Sequence, residues 1–174
     1  IVLKRSREWE DAGGPVQDAR ADRDAADDDL DDIAKENRAK MAGRSTHAAT
    51  EAPYTNVFPE GIDYYTAAPL DQEVARYGQL IIRVNEFLAT DDDVRKHAVP
   101  ALVTGIEAFK SAVEAVDAAL TALSLASTRL QNAEDAWAVL MTKVYGALLA
   151  DVGKQKAERY FPKIRNGKKN KTTG

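Results

Sequence analysis

Seven aspartates crowd one short stretch of this chain: Asp22, Asp24, Asp27, Asp28, Asp29, Asp31 and Asp32. Carboxylates at that density could bind Ca²⁺ or a basic partner. The stretch lacks the glycine and the terminal glutamate of an EF-hand loop, however, and helical spacing fans its side chains around the axis. A solvated helix face is therefore expected. A second charged stretch, Lys163 to Lys171, is basic and contains glycine. Its Lys163, Arg165, Lys168, Lys169 and Lys171 could contact an anionic partner, including a nucleic-acid backbone. A flexible, solubilising terminus is the plainer reading of the same residues.

Other chemistry is poorly provided for. The two histidines, His47 and His97, have no glutamate three residues before them, and no His-Glu-x-x-His pattern occurs. Cysteine is absent, which excludes disulfides, zinc fingers, iron–sulfur sites and thiol nucleophiles. There is no Gly-x-Ser-x-Gly, no phosphate-cradling loop and no Gly-x-Gly-x-x-Gly. The expectation is a chain without catalytic activity, cofactor or bound metal. Paired carboxylates remain the one catalytic chemistry so acidic a chain could hold, and no pair stands out by spacing.

The elements that would carry these residues are helical. The 174 residues are 44% hydrophobic, with 24 Lys and Arg against 28 Asp and Glu, a net charge of −4. That balance argues against a surface that binds nucleic acid throughout. No run approaches the roughly 20 apolar residues of a membrane span. The first residue is Ile1 rather than Met, so a processed or truncated chain is expected, with a removed signal or pro-segment left open. A cytoplasmic location is favoured over export.

Apolar spacing of three and four residues recurs almost everywhere and predicts an all-α fold. Helix A is expected over 2–43, with Val2, Trp9, Val16, Arg23, Leu30 and Asn37 on one seam and a kink at Gly13-Gly14-Pro15. A crossover loop fills 44–69, where periodicity stops; its Tyr54, Phe58, Tyr64 and Tyr65 suit a lid packed on helices. Helix B follows over 70–89 on Val74, Tyr77, Ile81, Val84 and Leu88. Thr90 and Asp91 to Asp93 provide a turn and a new helix start. Helix C, over 94–158, keeps two unslipped seams, one through Val99, Ile106 and Val113, the other through Leu102, Phe109, Val116, Leu123, Leu130, Trp137 and Val144. Residues 1–162 then form a single helical domain, and 163–174 a basic tail.

Long antiparallel helices in a coiled-coil-like bundle are the predicted architecture; a compact up-down four-helix bundle, with helix C broken around Ser124–Asn132, is the alternative. Pairing helices A and C through Arg23 and Glu134 would join the two charges that interrupt the seams, and would set helices A and B end to end along C. Trp9, Val16, Leu30, Phe109, Leu123, Trp137 and Val144 are the expected packing and self-association residues. A two-stranded pairing would leave several of them wet, which drives association into a homo-oligomer or a larger assembly. A structural or protein-interaction role, as subunit, adaptor or scaffold, is the expected function, with nucleic-acid association through the basic tail as its rival.

Overall fold

The computed structural model describes residues 1–161. In chain order these form α1 (Val2–Asp11), α2 (Gly13–Ala42), a 3₁₀ turn (Ala48–Thr50), α3 (Tyr54–Val57), α4 (Asp63–Thr66), α5 (Glu73–Phe87), α6 (Asp93–Val152) and α7 (Lys154–Tyr160). The fold is all-α among the described residues. Its contacts divide it into two compact units, one of Glu10–Ser124 and one gathering Ile1–Trp9 with the described residues from Leu125 onward. Neither the expected helix A nor helix C keeps its full span. Helix A is interrupted at Ala12, and Pro15 falls in the first turn of α2, where the amide it lacks would have no partner within that helix. Helix C runs unbroken for 60 residues through Ser124–Asn132, but ends at Val152.

The larger unit is built around α2. On α2, Val16, Ala19, Leu30, Ala34 and Met41 are buried; on α5, Tyr77, Leu80 and Val84; on α6, Val94, Ala98, Leu102, Ile106, Phe109 and Val116. These positions recur at three- and four-residue steps, so each helix turns one apolar stripe inward. The pairs Asp27–Glu73 and Asp31–Tyr77 advance together along α2 and α5, so these two helices run side by side in the same direction. This corrects the end-to-end arrangement of helices A and B. Parallel neighbours cannot be joined by a tight turn. The chain leaves α2 at Ala42 and must return beside Asp27, about 22 Å back along the axis at 1.5 Å per residue. Residues 43–72 make that return.

The return path is pinned along its length. Tyr54, Val57, Phe58 and Tyr65 are buried in the core, with Phe58 and Tyr65 edge-to-face at 5.9 Å. Arg38 of α2 donates to the Tyr54 hydroxyl at 2.9 Å. From α5, Arg83 donates to the Tyr65 hydroxyl and to Glu60, while Arg76 donates to the Tyr64 carbonyl and lies 4.5 Å over its ring. Burial resists a charge on Arg83 less than its two acceptors favour one, and its guanidinium is held further toward the cation. The expected aromatic lid on helices is thus present as α3, α4 and the turns between them.

The α5–α6 hairpin closes at Asp92. Its Oδ1 accepts the Val94 amide at 2.8 Å, capping α6, and also accepts Arg44 at 2.6 Å. Helix α6 runs antiparallel to α2. It approaches closely at Gly105, where a Cβ would lie 2.7 Å from Leu30 Cδ2 and 3.3 Å from Leu30 Cγ. With Leu30 fully buried, little room exists for it to yield. This register corrects the Arg23–Glu134 pairing, which would have set Leu30 against Ser127. Arg23 instead bonds the neighbouring Asp24, and Glu134 is exposed.

In the smaller unit, α1 and the Leu125–Val152 part of α6 face each other, with Ile1, Val2 and Leu3 along a groove that continues onto Ala133, Ala136, Trp137 and Leu140. Gly153, at φ 77°, ends α6 in a conformation that side chains disfavour and turns the chain back. Helix α7 then buries Ala157, and Phe161 reaches the Tyr145 ring at 5.7 Å.

The α2–α6 register can be checked by a double-mutant cycle. Leu30→Ala should cost about 2–5 kcal/mol. Gly105→Ala should be resisted by Leu30 in the native background and tolerated when Leu30 is alanine. A coupling of about 0.5–3 kcal/mol in chemical denaturation is expected; additive effects would place the two residues apart.

Candidate functional site

Three carboxylates meet where α2 and α5 lie together. Asp27 and Asp31 are one turn apart on α2, and Glu73 occupies the first turn of α5; one oxygen from each lies within 4.8 Å of the others. Glu73 is buried, only 2% exposed. It is carried inward because it precedes Tyr77 by four residues and Leu80 by seven, and so shares their stripe. The preceding turn, in which the Gln72 and Glu73 amides donate to the Pro69 carbonyl, fixes where α5 begins.

The outer side of the cluster is well bonded. The Tyr77 hydroxyl donates to Asp31 Oδ1 at 2.6 Å, and Lys35 donates to Asp31 Oδ2 at 3.0 Å. The inner side is not. Asp27 Oδ1 and Glu73 Oε2 are both buried, and no hydrogen-bond donor meets either. Buried acceptor oxygens without a donor favour a proton or a cation nearby. Burial, then the Asp27 and Asp31 carboxylates, push the Glu73 carboxyl up to about 8, against a smaller opposing pull from Arg76. Burial and Asp31 likewise push the Tyr77 hydroxyl well above the usual phenol range. With no cation bound, Glu73 is therefore a neutral acid at pH 7.

The acidic block is thus not one solvated face. Asp22, Asp24, Asp28, Asp29 and Asp32 are exposed, as expected, while Asp27 and Asp31 are half-buried against α5. The sequence reading missed Glu73 altogether. Its signal was available: a glutamate in helical phase with Tyr77, Leu80 and Val84 is a carboxyl on an apolar stripe.

The residues expected to pack divide along the chain. Val16, Leu30 and Phe109 are buried in the larger unit, and Leu123 is half-buried. Trp9, Trp137 and Val144, in the smaller unit, stand exposed at 42%, 48% and 42%. They are joined there by Val139 and Leu140 at 56% and 55%. The groove along Trp137 and Leu140 has a volume of about 400 Å³ and an apolar lining. His97 is exposed, its Nδ1 2.6 Å from the Asp93 carbonyl. The basic residues Lys163, Arg165, Lys168, Lys169 and Lys171 lie outside the described residues. No helix among the described residues is long and apolar enough to cross a membrane.

Comparison with family models, curated proteins and solved structures finds no match to this chain.

The buried acid makes stability depend on pH with a defined sign. A carboxyl raised from its ordinary value to about 8 on folding binds more protons in the native than in the unfolded state between about pH 4.5 and 8. Its contribution is then complete below that window and is lost as pH rises through it, at up to about 1.4 kcal/mol per pH unit. In chelator-treated protein, thermal melting should fall across this range. Glu73→Gln, which keeps a neutral donor toward Asp27, should flatten that part of the slope.

Proposed function

We propose that this protein is a structural, non-catalytic component that self-associates through the uncovered apolar face of its smaller unit. One observation carries the reading. Over Trp137–Ala150, α6 has a single charged residue, Lys143, yet Trp137, Val139, Leu140 and Val144 are left in water. Covering one large apolar side chain contributes about 1.5–3 kcal/mol, and because Trp137, Leu140 and Val144 share one side of the helix their exposure is a substantial drive to associate.

A second copy of the chain fits that face. The seam through Leu130, Trp137 and Val144 holds a seven-residue step, the spacing that lets two helices interlock. The absence of a nucleophile–base pattern in the sequence is consistent with a role in assembly.

Sedimentation equilibrium over a range of concentrations tests this. A dimer that dissociates on dilution is expected. The double variant Leu140→Glu, Val144→Glu should weaken association more than tenfold while leaving helical circular dichroism intact, because both positions are exposed in the single chain. A monomer at every concentration would overturn the proposal.

A further inference from the structure

We infer that Asp27, Asp31 and Glu73 form a binding site for one hard divalent cation, Mg²⁺, Mn²⁺ or Ca²⁺, bridging α2 and α5. The inference is independent of the assembly reading and rests on the larger unit alone. Three carboxylates offer one oxygen each within 4.8 Å of one another. One of them, Glu73, is only 2% exposed, and its Oε2 is buried without a hydrogen-bond donor. Asp27 Oδ1 stands in the same condition. A surface group of acids would turn to water; these two are held by α2 and α5 where water does not reach them.

The donor set selects the class of ion. All three ligands are carboxylates, and neither sulfur nor imidazole is among them, which suits hard cations rather than zinc or copper. Around the cluster, Tyr77 orients Asp31 through Oδ1. Such support of a ligating carboxylate by an outer hydroxyl is how metal sites fix their ligands. Lys35 bonds Asp31 from the solvent side. Its ammonium opposes a cation here, and Arg76 adds to that opposition. Asp27 and Asp31 are half-buried rather than sealed, so the cluster is not wholly cut off from solvent.

The full chain, stripped with a chelator and dialysed, can be titrated with Mn²⁺ by electron paramagnetic resonance and with Ca²⁺ or Mg²⁺ by calorimetry. One ion per chain is expected at submillimolar to millimolar concentration, with a higher melting temperature when it is bound. Glu73→Gln should weaken binding at least tenfold. Should that variant fail to fold, Asp27→Asn is read in its place with the same expectation. Lys35→Met should tighten binding several-fold, a result that a merely structural cluster would not produce. Asp29→Asn, an exposed acid of the same helix, should leave it unchanged. The inference is overturned if no ion saturates the chain at one equivalent, or if binding survives Glu73→Gln or Asp27→Asn and falls with Asp29→Asn, which marks loose association with the acidic surface.

Discussion

Helices α2 and α5 lie side by side and point the same way, and much of the larger unit follows from that. Two antiparallel helices can be joined by a few residues, but two parallel ones oblige the chain to retrace the length over which they touch. Thirty residues, 43–72, do so here, and a return path of that length needs its own packing. The aromatic side chains of α3 and α4 supply it, filling the space above α2 and α5 and meeting Arg38, Arg76 and Arg83 with their hydroxyls, carbonyls and rings. The guanidiniums are well suited to this work because each can serve several acceptors at once. Helix α6 then closes the unit from the other side, entering under the Asp92 cap and coming close to α2 where Gly105 has no side chain to keep Leu30 away.

The same parallel pairing explains why carboxylates end up inside. On α2, Asp27 and Asp31 flank Leu30, which α6 claims; the adjacent face is left to α5. The first turn of α5 arrives there with Glu73 already committed inward by its phase with Tyr77 and Leu80. An apolar residue at Glu73 would avoid desolvating an acid, and such replacements are commonly neutral or stabilising. A buried acid is thus an expensive way to fill this space if packing were its only role, which is why its environment and not merely its burial carries weight.

Periodicity made the class of fold and the long α6 readable, since no glycine or proline interrupts the pattern between Ile106 and Tyr145. It also made the aromatic crossover and the Asp91–Asp93 helix start readable, because local chemistry decides both. Register was not readable. Seven-residue seams slide over one another by whole heptads at little cost, and pairing charges at Arg23 and Glu134 chose a slide about three heptads away from the one fixed by Leu30 against Gly105. The break at Gly153 escaped for a different reason: the apolar phase continues past it, and only backbone conformation at a single residue stops the helix. The carboxylate site was hidden twice over, once because Asp27 and Asp31 sit among five exposed aspartates and once because Glu73 is forty-two residues from the nearer of them.

Chain order adds a consequence of the α2–α5 pairing that concerns synthesis rather than the finished molecule. Emerging from a ribosome, α2 is complete some thirty residues before the first turn of α5 exists, and the crossover, whose Tyr54 meets Arg38, is the first later segment able to cover it. The α5–α6 hairpin finds its contacts within a few residues of its own turn. Contacts of both kinds are local in sequence, whereas the α2–α5 pairing closes a longer loop. During translation, Asp27 and Asp31 therefore have no α5 to face until the whole crossover has been made.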